Sequence, residues 1–399
     1  MENKKYPTSV VIKFLACSLL GIFLLVGVFL PFYKKTWNKN TTSIIFSLLK
    51  ILALPFLFMV LFNNGPEFLM NKDVIPFIWN KIVIPVTTIV PVGSIFLSLI
   101  ISYGLMEFVG VFMRPIMKPI WKTPGRSAID AVASFVGSYS LALLITNRVY
   151  KEGKYTTKEA VIIATGFSTV SATFMVIVAK TLDLMDSWNL YFWLTVIVTF
   201  LVTAITARIY PIRNKSDAYF ENQKGDVEKD IPKEKFKVAF NEGMEVCTNS
   251  GSILENVIIN LKDGVMLAFN IGPSLMAVGT LGIVLANHTP IFDWIGYLVY
   301  PFTLISGFEE PLLTAKALAL GIAEMFLPAV LVTKLSFEVK MLVAITCVSE
   351  VLFFSASIPC MMATNIPISF KDYLIIWFER VVLSILVSIP LIYLVKVLM

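Results

Sequence analysis

Apolar residues run in membrane-length blocks along most of the chain, with polar residues collected between the blocks. Eight stretches approach the roughly 20 apolar residues that cross a hydrocarbon core as a helix. They are Val10 to Phe32, Thr42 to Phe62, Ile82 to Leu105, Ala160 to Val178, Leu190 to Ile209, Val265 to Leu285, Met341 to Met361 and Tyr373 to Val395. The pattern predicts an all-α, polytopic integral membrane protein of about eight transmembrane helices. The first block is read as a helix and not a signal peptide, because Phe32-Tyr33-Lys34-Lys35 follows it in place of a small-residue cleavage site.

Several blocks are interrupted by glycine and small hydroxyl residues. Phe135-Val136-Gly137-Ser138-Tyr139-Ser140 and Gly166-Phe167-Ser168-Thr169-Val170-Ser171 recur in outline as Gly321-Ile322-Ala323-Glu324 and Val348-Ser349-Glu350. In hydrocarbon every backbone N–H and C=O needs a partner, so breaks are tolerated mainly where backbone lines protein or water. Paired breaks in two halves point to a transporter core.

Composition agrees: 57% of the 399 residues are hydrophobic and 15% charged, outside the range of a soluble domain. The net charge of +6 sits in loops, as a topology determinant and not a nucleic-acid surface. Cys17, Cys247, Cys347 and Cys360 show neither a CxxC nor a metal-ligand spacing, so no disulfide frame and no metal site is expected. His288, the only histidine, falls in an outer loop and is assigned a plain polar role.

Between Arg208 and Lys237 the apolar pattern stops, giving a solvated, flexible loop that divides two halves and is placed in the cytoplasm by its basic character. Counting from it puts Arg148, Lys151, Lys154 and Lys158 inside, together with Arg114, Lys118, Lys122 and Arg126 of an interfacial stretch from Met106 to Arg126. Ser127 to Tyr150 must then start and end on one side, which predicts a re-entrant hairpin broken at Gly137-Ser138. Lys34, Lys35 and Lys39 fall inside, but Lys4 and Lys5 fall outside, against the charge rule; a further span near Phe68 to Trp79 would reverse that. Phe236 to Asn260 reads as one amphipathic surface helix.

The second half repeats the order of the first: a span, an interfacial stretch (Ile291 to Phe302), a second hairpin (Leu304 to Val332) and two spans. Phe108 to Pro115 can be laid on Trp294 to Pro301, with the same Gly-to-Pro spacing, and Ile163 to Thr169 on Ala344 to Glu350. Three crossings per unit make the repeats inverted. The expected divisions are 1–81 for the N-terminal helices, 82–210 for the first repeat, 211–262 for the charged loop and amphipathic helix, and 263–399 for the second repeat.

Candidate chemistry follows the breaks. Gly137, Ser138, Tyr139, Ser140 and Asn147 of the first hairpin, with Ser168, Thr169 and Ser171 of the first broken span, are the expected solute-binding residues. Glu324, Ser349 and Glu350 are the expected ion or proton site, because a carboxylate at such depth costs at least ~2.5 kcal/mol unless paired, protonated or hydrated. Lys316 and Lys334 are the alternative, as structural partners of those carboxylates. Glu309-Glu310-Pro311 is assigned to capping of the second hairpin, and Asp130 is ranked below all of these.

At the breaks the chain resembles the nucleoside-recognition "Gate" family, and its first half is most similar to the YjiH-type membrane proteins. The resemblance is carried by Phe135 to Arg148 and Ala164 to Phe174; it covers Gly104 to Ile209 well and Val265 to Val395 in outline. It implies a distant relation to concentrative nucleoside transporters and to the membrane part of ferrous-iron transport GTPases, with hairpins and broken helices about a central site. The Gly-Cys-Asn-Val-Pro run of the iron branch is replaced here by Gly137-Ser138-Tyr139-Ser140-Leu141, and no GxxxxGK[ST] loop is present.

The expected protein is therefore a non-enzymatic, secondary-active carrier. It moves a small polar, nucleoside-like solute with Na+ or H+ coupling and no cofactor, in a bacterial inner (cell) membrane. Its partners are the bilayer and the solute, not nucleic acid, and homo-oligomerisation is left open. The competing reading is a non-transporting membrane assembly or envelope-maturation protein.

Overall fold

The computed structural model describes residues 8–35, 37, 41–228 and 234–398, so the sidedness expected for Lys4, Lys5 and Lys39 lies outside the described residues. Among the described residues the chain is helical, with one isolated bridge between Thr156 and Tyr219. Helices α1 (Thr8–Tyr33) and α2 (Thr41–Phe62) pack on each other ahead of the first repeat. The short α3 (Glu67–Met70) and α4 (Ile75–Phe77) then lead through a π-helical turn, Ile78–Val83, into α5 (Ile84–Ser102). The span expected from Ile82 thus belongs to a stretch, Glu67–Phe96, that starts earlier and takes in the segment near Phe68 to Trp79.

The interfacial stretch forms α6 (Leu105–Trp121), entered through Gly104 at φ +77°. A Cβ at Gly104 would come within 2.1 Å of the Gly243 carbonyl oxygen, so only glycine permits this approach. The first hairpin is α7 (Ala128–Val136) and α8 (Tyr139–Lys151), separated at Gly137-Ser138 where the sequence predicts it. Ser138 caps α8, its Oγ accepting from the Leu141 N–H at 3.3 Å. The Asp130 carboxylate near the start of α7 accepts from Thr146 Oγ1 at 2.6 Å, near the end of α8, which closes the hairpin at its base.

The expected span Ala160 to Val178 is not one helix. It is α9 (Thr157–Gly166), begun by a Thr156/Glu159 capping box, and α10 (Ala172–Thr181), capped by Ser171. Helix α11 (Trp188–Thr206) closes the first unit. The expected amphipathic helix Phe236 to Asn260 is also divided: α12 (Lys235–Asn249) ends before Ser252, which caps the long α13 (Ile253–Ser274). A π-helical turn, Leu275–Gly279, carries that helix on into α14 (Thr280–His288).

The second unit repeats the scheme with α15 (Ile291–Ile305), a hairpin of α16 (Pro311–Leu320) and α17 (Leu327–Leu331), a broken helix of α18 (Phe337–Ser349) and α19 (Ser357–Met362), and α20 (Phe370–Leu398). Met341 to Met361 is thus discontinuous, as Ala160 to Val178 is, and both interruptions fall where the sequence places them, after Gly166 and at Ser349-Glu350. Four stretches among the described residues are long and apolar enough to cross a membrane: Glu67–Phe96, Met185–Thr206, Ile253–Leu285 and Phe370–Lys396. The protein is an all-helical integral membrane protein, and two of the eight apolar stretches read from the sequence are broken helices.

Corresponding helices of the two units meet and run antiparallel. Along α5 and α13, Gly272 approaches Thr87 while Gly264 approaches Ser94. Between α11 and α20, Arg380 bonds Thr203, and farther on Lys215, past the end of α11, pairs with Asp372. Gly110 and Gly296, aligned in the sequence, do the same work: each lets its helix pack closely, against Arg126 and Lys316 respectively. This is the relation an inverted repeat requires.

The linker is less free than its composition suggests. Residues 215–228 dock where the first hairpin meets α9: the Thr157 and Lys158 N–H groups donate to the Ala218 and Ser216 carbonyls, the Asp226 N–H donates to the Gly153 carbonyl, and Gln223 donates to the Lys151 carbonyl at the end of α8. Glu228 accepts from the Gly125 and Arg126 N–H groups at 2.8 and 3.1 Å and pairs with both Arg126 and Arg114. Arg114 and Arg126 are thus buried, ion-paired residues and not merely surface topology charges. Burial opposes the Arg126 charge, but Glu228, Asp226 and Glu107 outweigh it and raise its pKa above the ordinary value.

Removing one member of a buried ion pair strands the other, at roughly 3–5 kcal/mol. Glu228→Ala is therefore expected to lower the thermal midpoint of the purified protein and to open residues 215–228 to limited proteolysis. An unchanged midpoint and cleavage pattern would show that the docked linker does not hold the hairpin.

Candidate functional site

The four breaks converge. A cavity of about 320 Å³ is lined by Tyr139 from the first hairpin, Val170 and Phe174 from the first broken helix, Glu324 and Phe326 from the second hairpin, and Phe353 from the second broken helix. The aromatic rings are paired across the units. Tyr139 meets Phe353 edge to face at 5.9 Å between centroids, and Phe174 meets Phe326 edge to face at 6.2 Å. Each hairpin thus packs on the broken helix of the other unit. Two larger recesses, of about 650 and 520 Å³, open instead around the docked linker, where their charged walls include Arg114, Lys154 and Glu228.

Backbone groups freed at the breaks are satisfied locally. Ser134 Oγ of the first hairpin donates to the Thr169 carbonyl. In the second unit the Phe354 and Ser355 N–H groups donate to the Ile322 and Ala323 carbonyls at 2.6 and 2.8 Å, a strand-like contact between hairpin and broken helix. Glu324 Oε2 accepts from the Phe326 and Leu327 N–H groups at 2.6 and 3.2 Å and so caps α17. Ser357 Oγ accepts from the Phe353 N–H at 2.9 Å.

Behind the cavity lies a buried polar chain. Glu350 Oε2 accepts from the Trp377 indole at 3.0 Å, while Oε1 has no partner. Gly321 makes room for that carboxylate, since a Cβ there would lie 2.4 Å from Oε2. Arg380, fully buried, donates from Nε to the Ser349 carbonyl at 2.7 Å and from Nη1 to Thr203 Oγ1 at 3.1 Å. Thr203 Oγ1 lies 3.0 Å from the Gly166 carbonyl, which links the first broken helix to the second. Immediately after Glu350, Val351 is held at φ +61°, a conformation costing a β-branched residue of order 1–3 kcal/mol.

The residues selected from sequence divide accordingly. Tyr139 and Glu324 line the cavity. Ser138 and Ser140 lie at the first hairpin tip with their hydroxyls 3.0 Å apart, beside Gly137; Ser168 and Thr169 are buried, and Ser171 caps α10. Glu350 and Ser349 belong to the polar chain, Ser349 Oγ bonding Ser384 Oγ. Asn147 is elsewhere: its side chain accepts from the Asn365 N–H at 2.8 Å.

Neither carboxylate is ion-paired among the described residues. Lys316, offered as a partner, pairs with Asp293 at 2.8 Å and lies over the Tyr297 ring. Glu310 precedes α16 without a side-chain cap, and Glu309 instead accepts from the Ser336 N–H, so the capping assigned to this pair does not occur. His288 packs on the Phe68 ring.

Sequence reasoning passed over Arg380, Trp377 and Thr203. The signal for Arg380 was present, since an arginine within an apolar span marks a function or a buried partner. Asp130 is fully buried and accepts from Tyr155 and Thr146.

Two hairpins and two broken helices surround a shared cavity, and a solved transporter structure has a similar fold. A doubly substituted CNTnw in an outward-facing state superposes with a TM-score of 0.52 at 13% identity, over 95% of this chain and 91% of that one, a likeness of fold alone. The nucleoside recognition (Gate) family matches residues 83–185. An uncharacterised protein of Alkalihalophilus pseudofirmus is 31% identical over 333 residues, 82% of this chain and 72% of the relative. The chain belongs to the same family as that protein, and its residues 83–185 carry the nucleoside recognition (Gate) match.

Hydrogen bonds to a charged group contribute about 1.5–3 kcal/mol, and Trp377 supplies the side-chain bond Glu350 makes. Trp377→Phe is expected to lower stability by that order in the native protein and by much less when Glu350 is replaced by Leu. Equal losses in both backgrounds, read from thermal midpoints, would show that the indole acts through packing and not through the carboxylate.

Proposed function

We propose that this protein is a secondary carrier that moves a small solute across a bacterial cell membrane by alternating access, with a proton or sodium ion as the coupled species. One observation carries the reading: breaks from both units, expensive in hydrocarbon, converge on one cavity instead of being scattered. The transporter fold supports it. In this reading Glu324 faces the solute. Glu350 is the coupling group, because its unpartnered Oε1 is where a proton or cation would be accommodated. The serines at Gly137 and Gly166 shape and cap the breaks, and no enzymatic role is assigned.

The test is a thermal-shift screen of nucleosides, nucleobases, amino acids and organic acids, with and without sodium, followed by uptake of each stabilising solute into proteoliposomes. Uptake driven by an ion gradient is expected, reduced roughly tenfold or more by Glu324→Gln or Glu350→Gln, the loss of one charged hydrogen bond. A folded protein that neither binds nor moves any solute in the panel would favour a non-transporting membrane assembly.

A further inference from the structure

The solute class follows from what reaches the cavity and what does not; this step rests on the carrier reading. Of the hydroxyls expected to meet a polar solute, Ser138 is engaged with Ser140, Thr169 with the Val170 carbonyl and Ser171 with the Phe174 N–H, which leaves the Tyr139 phenol at the cavity wall. Ser168 and Thr169 are buried away from the lining. The walls are instead aromatic and aliphatic, with Tyr139, Phe174, Phe326 and Phe353 as two edge-to-face pairs and Phe77 and Ile82 beside them. The lining includes no lysine, arginine, histidine, asparagine or glutamine.

Against these walls stands one carboxylate. Glu324 Oε2 is occupied by two backbone N–H groups, and Oε1 makes no hydrogen bond among the described residues. An anionic solute would meet a carboxylate with no cation beside it. A sugar would leave several hydroxyls unpaired against hydrocarbon. A flat ring satisfies the aromatic pairs, and an N–H edge satisfies Oε1 with a charge-assisted bond. The volume, about 320 Å³, is at the lower end for small-molecule sites and suits one compact ring system.

We infer that the cavity takes a flat nitrogen heteroaromatic solute that places an N–H donor edge on Glu324 and carries neither a sugar nor a negative charge.

Adenine, adenosine and benzoate, titrated against the purified full-length protein by calorimetry, test this directly. Adenine is expected to bind at least tenfold more tightly than adenosine or benzoate. Glu324→Gln, which retains an oxygen to cap α17, should weaken adenine about tenfold, the loss of one charged hydrogen bond. Phe174→Leu should weaken adenine as well and serves if the Glu324 variant does not fold. Adenosine or benzoate binding as tightly as adenine would overturn the solute class. So would adenine binding that both variants leave unchanged, or displacement of adenine by a detergent alkyl chain alone. If adenine does not bind while some other solute is bound or taken up, the class fails and the carrier reading stands; if nothing in the wider panel is bound or moved, both fail.

Discussion

Every peptide group freed by a helix break inside a bilayer must find a partner without water, and the centre of this protein is arranged around that constraint. The solution differs between the two units. In the first, short side chains do it: Ser138 and Ser171 cap the helices that restart, and Ser134 reaches across to the Thr169 carbonyl. In the second, backbone meets backbone, with Phe354 and Ser355 donating to Ile322 and Ala323, and a glutamate does the capping. The breaks are therefore fixed to each other before any solute is considered, which gives the cavity a defined shape.

A second set of contacts ties the broken helices together. From the Gly166 carbonyl through Thr203 and Arg380 to the Ser349 carbonyl, a chain of hydrogen bonds joins the end of α9 to the end of α18. Two glycines make this possible. Gly166 admits Thr203 and Gly321 admits the Glu350 carboxylate, where a methyl group would collide in either place. Arg380 is buried at a position where an isolated charge would be costly. Its bonds to backbone and hydroxyl oxygens account for two of its donors, and Nη2 remains without one.

Much of this was legible in the chain. Hydrophobic blocks, glycine and serine interruptions and a repeated element order marked the membrane class, the first hairpin and the broken helices, because each reflects a local rule about backbone in lipid. Glu324 and Glu350 stood out for the same reason. Long-range geometry was not legible: the pairing of Lys316 with Asp293, the burial of Arg114 and Arg126 under Glu228, and the attachment of Asn147 to Asn365 depend on contacts between distant segments. The hydroxyl clusters illustrate the limit: a serine beside a glycine in an apolar helix signals a break, and Ser138 and Ser171 cap the helices that restart there.

The crossed arrangement of the aromatic pairs has a mechanical meaning. Tyr139 and Phe174 come from one unit, and their mates Phe353 and Phe326 from the other, so no wall of the cavity is the property of a single unit. Each half supplies one ring of each pair, so the paired walls exist only where the two units are held in register. Its width is thus a gauge of how the units sit on one another, and any slide along their seam would be felt at both ring contacts together.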